Sequence, residues 1–344
     1  MNKYYNCNDL TTKKDLNGNT PEILICVGNR TAGKTTAWVK WALDAWFTRK
    51  EQFVFLYRYK YELSNCSDKI FGDVGSLFYK GHTMTHKTKL KGAYSELYLD
   101  DELAGFAIAI NSADQAKKNS HIFCKVHKII FDEFMPEDNT YCPDEIKKFL
   151  SIHTSIARGQ GEQVRFVQTV LISNPVTVLN PYYTELGIAK RLRADTKFLR
   201  GDGFVLQQNL NTSAAEAQKT SSFNRAFAKN NYIQYAAECA SLADNNAFVD
   251  RPEGASKYLA TLRYQGKLYA IREYAAAGIV YCSDNADSTF PLKISVTTDD
   301  HQINYIMLRQ NDFFIATMRY YFERGCFRFA NLDCKNALLS ALSY

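Results

Sequence analysis

An eight-residue loop motif constrains the fold of this chain more than any other feature of the sequence. Residues 28–35 read GNRTAGKT and match the phosphate-binding pattern GxxxxGK(S/T), with both glycines and the final hydroxyl in place. The apolar run ILICVG before it is typical of a buried parallel strand. After it, apolar residues recur at spacings of three and four from Lys34 through Phe47 and predict a helix. The motif therefore predicts an α/β domain in which a parallel strand feeds a P-loop.

The residue types in this loop fit the binding of a nucleoside triphosphate and Mg²⁺. Its glycines let backbone N–H groups turn toward phosphates, and the helix N-terminus adds partial positive charge. We expect Lys34 to reach the β and γ phosphates and Thr35 to bind Mg²⁺. A chance glycine turn before a helix is the alternative, and the flanking strand and helix argue against it. The predicted ATP-binding residues are Gly28, Asn29, Arg30, Thr31, Ala32, Gly33, Lys34, Thr35 and Thr36.

Two adjacent acids follow another predicted strand, in the segment KIIFDEF. Asp132 stands where a P-loop ATPase needs a carboxylate that holds Mg²⁺ through water. Glu133 beside it can polarise the attacking water, whereas GTPase-type switches use a glutamine elsewhere for this purpose. Exposed acids at strand ends are also common in α/β folds. Together with the loop, the pair predicts ATP hydrolysis with Glu133 as the base.

Four further polar residues are candidates for the same site. Asn174 closes the predicted strand FVQTVLISN and could touch the γ-phosphate or the lytic water, although it could equally cap the strand. Arg158 follows a predicted helix and begins a glycine-containing loop, so it could reach the γ-phosphate of a neighbouring subunit. Arg58 and Lys60 lie near the carboxyl edge of the sheet, where nucleotide sites form, and are further candidates for a cation that acts in trans. Simple solvation is the alternative for all three cations.

The order of segments predicts two domains, as a length of 344 residues also indicates. Strands and helices alternate over residues 1–205, which predicts a P-loop domain with a mostly parallel sheet. Within it, residues 71–127 have the composition of a β-rich insertion. Residues 206–248 are rich in Ala, Asn, Gln and Ser, and we interpret them as a partly helical linker. Residues 249–344 predict a small α+β domain.

The overall composition excludes few classes of function. A net charge of +6 is compatible with a polyanionic partner and with many other functions. The nine cysteines are scattered without a CxxC pair, which predicts reduced thiols in a cytosol. The N-terminus has no apolar signal core, and no apolar run approaches the roughly 18 residues of a membrane span. We therefore expect a protein that is neither exported nor inserted in a membrane.

Several separate blocks of the chain resemble the DNA encapsidation ATPases of small podophages of the phi-29 type. They are the loop GNRTAGKT, the segment EQFVFLYRYKYEL, FDEF at 131–134, the pattern SNxVxVxNPY at 173–182, and VTTDD at 296–300. The resemblance implies a terminase-like, FtsK/HerA-type ASCE P-loop ATPase that uses ATP and Mg²⁺. It implies a homo-oligomeric ring of five subunits that translocates double-stranded DNA through the portal of a prohead in the host cytoplasm. It leaves open whether a structural prohead RNA takes part.

The same resemblance assigns roles to individual residues. Arg30 matches the arginine that the family carries inside its P-loop, and Arg158 matches by position a trans-acting arginine. Lys60 matches a lysine that acts across the subunit interface. The loop GQGEQ after Arg158 departs from a more basic family stretch, so Arg165 is a substitute candidate for the trans-acting residue.

The resemblance also implies that the C-terminal domain is a ribonuclease H-like fold that has lost its metal-binding acids and binds nucleic acid or the portal. Two other functions stay open at this stage. One is a terminase with a working two-metal nuclease. The other is a structural or RNA-binding connector that uses nucleotide only to hold its fold. The acids available to a nuclease are Asp250, Asp284, Asp299 and Asp300.

Overall fold

The chain divides into two compact units in the computed structural model. The described strands between residues 23 and 209 belong to the first unit, and those between residues 257 and 329 belong to the second. The structure describes residues 4–137, 140–158, 161, 163–178, 180–188, 191–192, 196–209, 211–226, 249 and 251–342.

A nine-stranded sheet forms the centre of the described part of the first unit. Its strand order is β3-β4-β5-β2-β6-β7-β1-β9-β8. The six strands from β5 to β9 in this order are mutually parallel, while β3, β4 and β8 pair antiparallel at the two edges. The mostly parallel sheet predicted from the sequence is therefore confirmed. The strands are β1 (Ile23–Gly28), β2 (Gln52–Tyr57), β3 (Met84–Lys89), β4 (Tyr94–Leu99), β5 (Glu102–Ala109), β6 (Val126–Asp132), β7 (Gln168–Ser173), β8 (Phe198–Arg200) and β9 (Phe204–Asn209).

The longest described helix follows the P-loop and packs on the sheet. It buries Trp38, Ala42 and Trp46 against strand residues that include Leu24 and Phe53, as its apolar spacing predicts. None of the described helices is long and apolar enough to cross a membrane. The described helices are α1 (Asn8–Thr11), α2 (Lys34–Arg49), α3 (Cys66–Phe78), α4 (Ala113–Lys117), α5 (Glu145–Ile156), α6 (Pro181–Glu185), α7 (Thr212–Thr220), α8 (Ser222–Ala226), α9 (Asp312–Glu323) and α10 (Leu332–Leu342).

The segment 71–127, predicted as a β-rich insertion, begins inside α3 and continues the main sheet. Its strand β5 pairs in parallel with β2, and β4 and β3 then add antiparallel strands at the edge. Because β5 is buried along most of its length, the segment contributes to the core of the first unit.

A second sheet, with six described strands, forms the centre of the second unit, which also contains α6, α9 and α10. Strands β10, β11 and β12 form an antiparallel meander, β13 and β14 run parallel beside β10, and β15 runs parallel beside β12. The order β12-β11-β10-β13-β14 is that of ribonuclease H-like folds, in agreement with the predicted fold class. The strands are β10 (Lys257–Tyr264), β11 (Lys267–Tyr274), β12 (Ile279–Ser283), β13 (Lys293–Ser295), β14 (Ile306–Met307) and β15 (Phe327–Phe329).

Asp300, one of the acids considered for a nuclease, holds a turn of this sheet. Gln265 and Gly266 join β10 to β11 with φ angles of 50° and 76°, and their N–H groups donate to Asp300 at 3.0 and 2.8 Å. The Thr297 hydroxyl donates to it at 2.7 Å. Burial opposes ionisation of Asp300, but these hydrogen bonds outweigh it and hold its pKa below the ordinary value.

The remaining candidate acids give no metal cluster within the described ranges. Asp284 accepts from the Asn331 side chain at 3.2 Å, Asp299 is exposed, and Asp250 lies outside the described residues. Across the part of the chain that the structure describes, no group of three His, Cys, Asp or Glu side chains is placed to hold a metal ion.

Candidate functional site

The predicted P-loop connects β1 to α2, and its two glycines are needed for different reasons. Gly28 pairs with Asn209 of β9, and a Cβ at Gly28 would lie only 2.3 Å from the Asn209 carbonyl oxygen. Gly33 has a φ of 80°, which L side chains rarely adopt, and it caps the N-terminus of α2. The loop can therefore bring its backbone close to β9 and turn sharply into the helix.

Lys34 ties the loop to a neighbouring strand end. Its buried ammonium donates to the carbonyl oxygens of Gly28 and Asn29 at 2.8 and 2.7 Å and to Asn174 Oδ1 at 3.0 Å. Because β7 lies beside β1, Asn174 at the end of β7 reaches the loop directly. The structure thus brings together two residues that were predicted separately as members of the site.

Thr35 and Asp132 provide oxygen atoms that fit a magnesium ion. Thr35 Oγ1 donates to Asp132 Oδ2 at 2.8 Å, and the Glu133 N–H donates to Asp132 Oδ1 at 3.0 Å. Burial raises the pKa of Asp132, and the Thr35 hydrogen bond, the charge of Lys34 and the Glu133 N–H oppose that rise. A hydroxyl and a carboxylate at hydrogen-bonding distance are the hard oxygen donors that Mg²⁺ prefers. These two residues fit the metal role predicted for them.

Glu133 is exposed beside this pair and has an unusual backbone conformation. Its φ is 56°, in the left-handed region, which costs a non-glycine residue about 1–3 kcal/mol and persists only where the surroundings hold it. One such contact comes from Arg58 Nη1, which donates to the Glu133 carbonyl oxygen at 3.3 Å. The strain therefore lies at the residue predicted to be the catalytic base.

Arg58 is buried and not on a solvated edge. Its guanidinium forms a two-point ion pair with Glu145, at 2.8 and 2.9 Å, and donates to the Phe134 carbonyl oxygen at 3.0 Å. The side chains of Arg58 and Glu145 are 6% and 2% exposed. Since Arg58 faces Glu145 inside the chain, this geometry favours a positioning role in its own subunit over the predicted contact with a neighbouring one.

Arg165 is likewise directed inward, whereas Arg158 and Lys60 lie on the surface. The Arg165 guanidinium donates to the carbonyl oxygens of Ile156 and Val126, at 2.6 and 3.1 Å, and is buried. Arg158 is exposed after the end of α5. Lys60 is exposed and donates to Gln115 Oε1 at 3.1 Å. Of the four predicted trans-acting cations, the two exposed ones are therefore placed to reach another molecule.

A cleft of about 500 Å³ joins most of the predicted site residues. The loop, the end of β6 and the end of β7 all open into it, because the carboxyl ends of parallel strands meet at one edge of the sheet. Neither Arg158 nor Lys60 is among its described lining residues. Its lining residues are Arg30, Thr31, Ala32, Gly33, Lys34, Thr35, Thr36, Asp132, Glu133, Ile172, Ser173, Asn174, Gln218, Phe223 and Asn224.

Known proteins resemble this chain along nearly its whole length. The family described as podovirus DNA encapsidation protein (Gp16) matches residues 1–342. The chain belongs to this family. Within it, the DNA packaging protein of Bacillus phage PZA is 26% identical over 314 residues, which are 90% of this chain and 90% of that protein. The family match confirms the resemblance carried by the sequence blocks.

Two solved structures share the encapsidation-protein fold. A chain of the bacteriophage Phi-29 viral genome packaging motor assembly has a TM-score of 0.56 at 23% identity and covers 97% of this chain and 96% of that one. A chain of the Phi-28 gp11 DNA packaging motor has a TM-score of 0.57 at 16% identity and covers 100% and 99% of the two chains. Both matches extend over the first and second units, so they support the predicted fold class.

Part of the cleft in this encapsidation-family chain comes from residues of the predicted linker. Helices α7 and α8 follow β9 and contribute Gln218, Phe223 and Asn224. Asn211 caps α7 and exchanges two hydrogen bonds with Asn29, at 2.9 and 3.1 Å. The segment was predicted to be partly helical, and the Asn before a Thr-Ser-Ala-Ala run is an N-cap signal that indicates where the helix begins. Nothing in the sequence shows that this helix lies beside the loop.

Proposed function

We propose that this chain is an ATPase that drives double-stranded DNA into a viral prohead. One observation carries the proposal. Lys34 and Thr35 line a single cleft at one edge of the parallel sheet together with Asp132 and Glu133, although Thr35 and Asp132 lie 97 residues apart in sequence. These are the groups that ATP hydrolysis requires. Membership of the DNA encapsidation family and the packaging proteins among its relatives support the link to DNA.

In this proposal the chain's own residues hold the triphosphate and activate water. Backbone N–H groups of the loop and the Lys34 ammonium bind the β and γ phosphates. Thr35 and, through water, Asp132 would hold Mg²⁺, which would supply positive charge to the same phosphate oxygens. A water oxygen attacks the γ-phosphorus, its proton passes to the Glu133 carboxylate, and the bond to the β-phosphate oxygen breaks to give ADP and phosphate. Asn174, held by Lys34, orients that water or the γ-phosphate.

The ring and its trans-acting cation belong to the same proposal. Arg158 is exposed after the end of α5 and lies outside the described lining of its own cleft, which supports a role at the cleft of a neighbouring subunit. Lys60 is the second candidate for that role. We propose a ring of five subunits at the portal vertex in the host cytoplasm. Contacts to the phosphate backbone would let it move DNA of any sequence.

A Glu133→Gln variant tests the assignment of the base. The amide cannot accept the proton from water but keeps the size of the side chain, so we expect ATP binding to persist and phosphate release to fall by about 100-fold or more. Equilibrium ATP binding and steady-state phosphate release measure the two effects. Glu102→Gln is a matched control, since Glu102 is an exposed acid that forms a surface ion pair with Lys50 in the same unit. Phosphate release at the wild-type rate by Glu133→Gln would refute the assignment.

A further inference from the structure

The nucleotide cleft has a second end, which the hydrolytic residues do not use. Across the sheet edge, Asp132 follows β6, Asn174 follows β7, the P-loop follows β1, and α7 and α8 follow β9. Under the proposed function, the γ-phosphate lies at the β6 end. The nucleoside is attached at the opposite end of the triphosphate, so it extends toward α7 and α8. The residues that line the cleft there are Gln218, Phe223 and Asn224.

Phe223 offers an aromatic surface at that end. The residue is 69% exposed. Every nucleobase has a flat π face, and stacking on an aromatic side chain is worth about 1–3 kcal/mol per base. A largely exposed ring in the lining of a nucleotide cleft therefore matches the needs of a base.

The side-chain amides beside it are arranged by a chain of hydrogen bonds. Asn224 Nδ2 donates to the carbonyl oxygen and to Oε1 of Gln218, at 2.8 and 2.6 Å. Gln218 Nε2 donates to Thr31 Oγ1 at 3.2 Å, and the Thr31 hydroxyl donates to the Arg30 carbonyl oxygen. Because both partners of Asn224 Nδ2 are oxygens, the orientation of the Asn224 amide is determined. Its Oδ1 atom is then the group that can accept a hydrogen bond from a ligand.

We propose that Phe223 and Asn224 form the nucleobase subsite of this cleft, in which Phe223 stacks on the base and Asn224 Oδ1 accepts from the exocyclic amine of adenine. Guanine presents an oxygen at the corresponding position, so the subsite favours ATP over GTP. Gln218 is a positioning residue that connects Asn224 to the P-loop at Thr31. This inference rests on the proposed function, since it places the triphosphate in the P-loop.

Binding of ATP and of inorganic tripolyphosphate to the full chain separates the subsite from the phosphate site. We expect Phe223→Ala to weaken ATP binding by roughly 5- to 150-fold and to leave tripolyphosphate binding unchanged. Phe223→Trp should restore ATP binding, and KM for ATP should rise in Phe223→Ala while kcat is retained. Phe166→Ala is a matched control, because Phe166 is 52% exposed and lies outside the cleft lining. Isothermal titration calorimetry gives the affinities.

A second variant tests base selection. We expect Asn224→Ala to reduce the preference for ATP over GTP by roughly 2- to 12-fold, the value of one hydrogen bond. Unchanged ATP affinity in Phe223→Ala, or an unchanged preference in Asn224→Ala, would overturn the subsite. Failure of the proposed function would give a different result in these binding measurements. In that case the wild-type chain would bind no tripolyphosphate, or Lys34→Ala would bind it as tightly as the wild type does.

Discussion

The buried ion pair between Arg58 and Glu145 predicts a large loss of stability when one partner is removed. Arg58→Met keeps most of the apolar stem but leaves the Glu145 carboxylate, 2% exposed, without its two-point partner. Breaking a buried pair in this way costs about 3–5 kcal/mol. That is a substantial part of the roughly 5–15 kcal/mol that holds a domain folded. We therefore expect Arg58→Met to lower the free energy of unfolding of the first unit by about 3–5 kcal/mol.

The sequence supplies a reporter for this unit alone. All three tryptophans, at positions 38, 41 and 46, lie in α2. Their fluorescence during denaturant unfolding follows the first unit, so the second unit does not confuse the measured transition. The shift in the midpoint, with an unchanged slope, gives the change in stability.

A double variant separates the ion pair from general damage. Arg58→Met combined with Glu145→Gln removes both charges, and glutamine retains an acceptor for the Cys142 N–H that donates to Glu145 at 2.9 Å. We expect a coupling energy of about 1.5–3 kcal/mol between the two changes. The exposed pair Lys50 and Glu102, 60% and 61% exposed, serves as the control and should show a coupling energy of less than about 1 kcal/mol. Additivity within about 0.5 kcal/mol for Arg58 and Glu145 would refute the reasoning.

Three further changes give distinct expected results. Arg158→Ala should abolish phosphate release by uniform rings and regain part of it in rings mixed with Lys34→Ala subunits, which supply the arginine; no regain at any mixing ratio would argue against action in trans. Gly28→Ala should weaken ATP binding about 10-fold or more, as measured by calorimetry, because its Cβ would lie 2.3 Å from the Asn209 carbonyl oxygen; wild-type affinity would contradict this. Asp300→Asn should destabilise the second unit by about 1–3 kcal/mol at pH 7 in thermal unfolding. The pKa of Asp300 is lowered in the folded state, so its contribution is present above the ordinary aspartate pKa of about 3.9 and lost as the pH falls through the lower folded value. The difference between Asp300→Asn and the wild type should therefore shrink at acidic pH, and a difference that grows instead would exclude this role.

The sequence predicted the parts of the site whose chemistry is local. The P-loop is a continuous segment, and the requirements of phosphate and Mg²⁺ binding explain its residue types. The Asp132–Glu133 pair directly follows an apolar strand. Parallel strands bring their carboxyl ends to one edge, so the meeting of Lys34 with Asn174, 140 residues apart, followed from the sheet alone.

Other features of the structure depend on contacts between residues that are distant in sequence, and no local sequence pattern predicts those contacts. Arg58 at a strand end looks like a solvated cation until Glu145, 87 residues away, is placed against it. Gln218 and Asn224 lie in a stretch whose Ala- and Ser-rich composition resembles a linker, and only the position of β9 beside β1 brings them to the loop. The composition of segment 71–127 predicts a β-rich insertion but does not show where that insertion docks. Parallel pairing of β5 with β2 is a long-range contact that alternation cannot predict.

In the proposed function, ATP hydrolysis in this cleft drives DNA into the prohead. One reaction can test it, with proheads of the same virus, double-stranded DNA, ATP and this chain, in which phosphate release and nuclease-protected DNA are measured together. Wild-type chain should give both signals in proportion, and Glu133→Gln should bind ATP yet give neither. Protected DNA accumulating with Glu133→Gln, or phosphate release by the wild type with no protected DNA, would contradict the account.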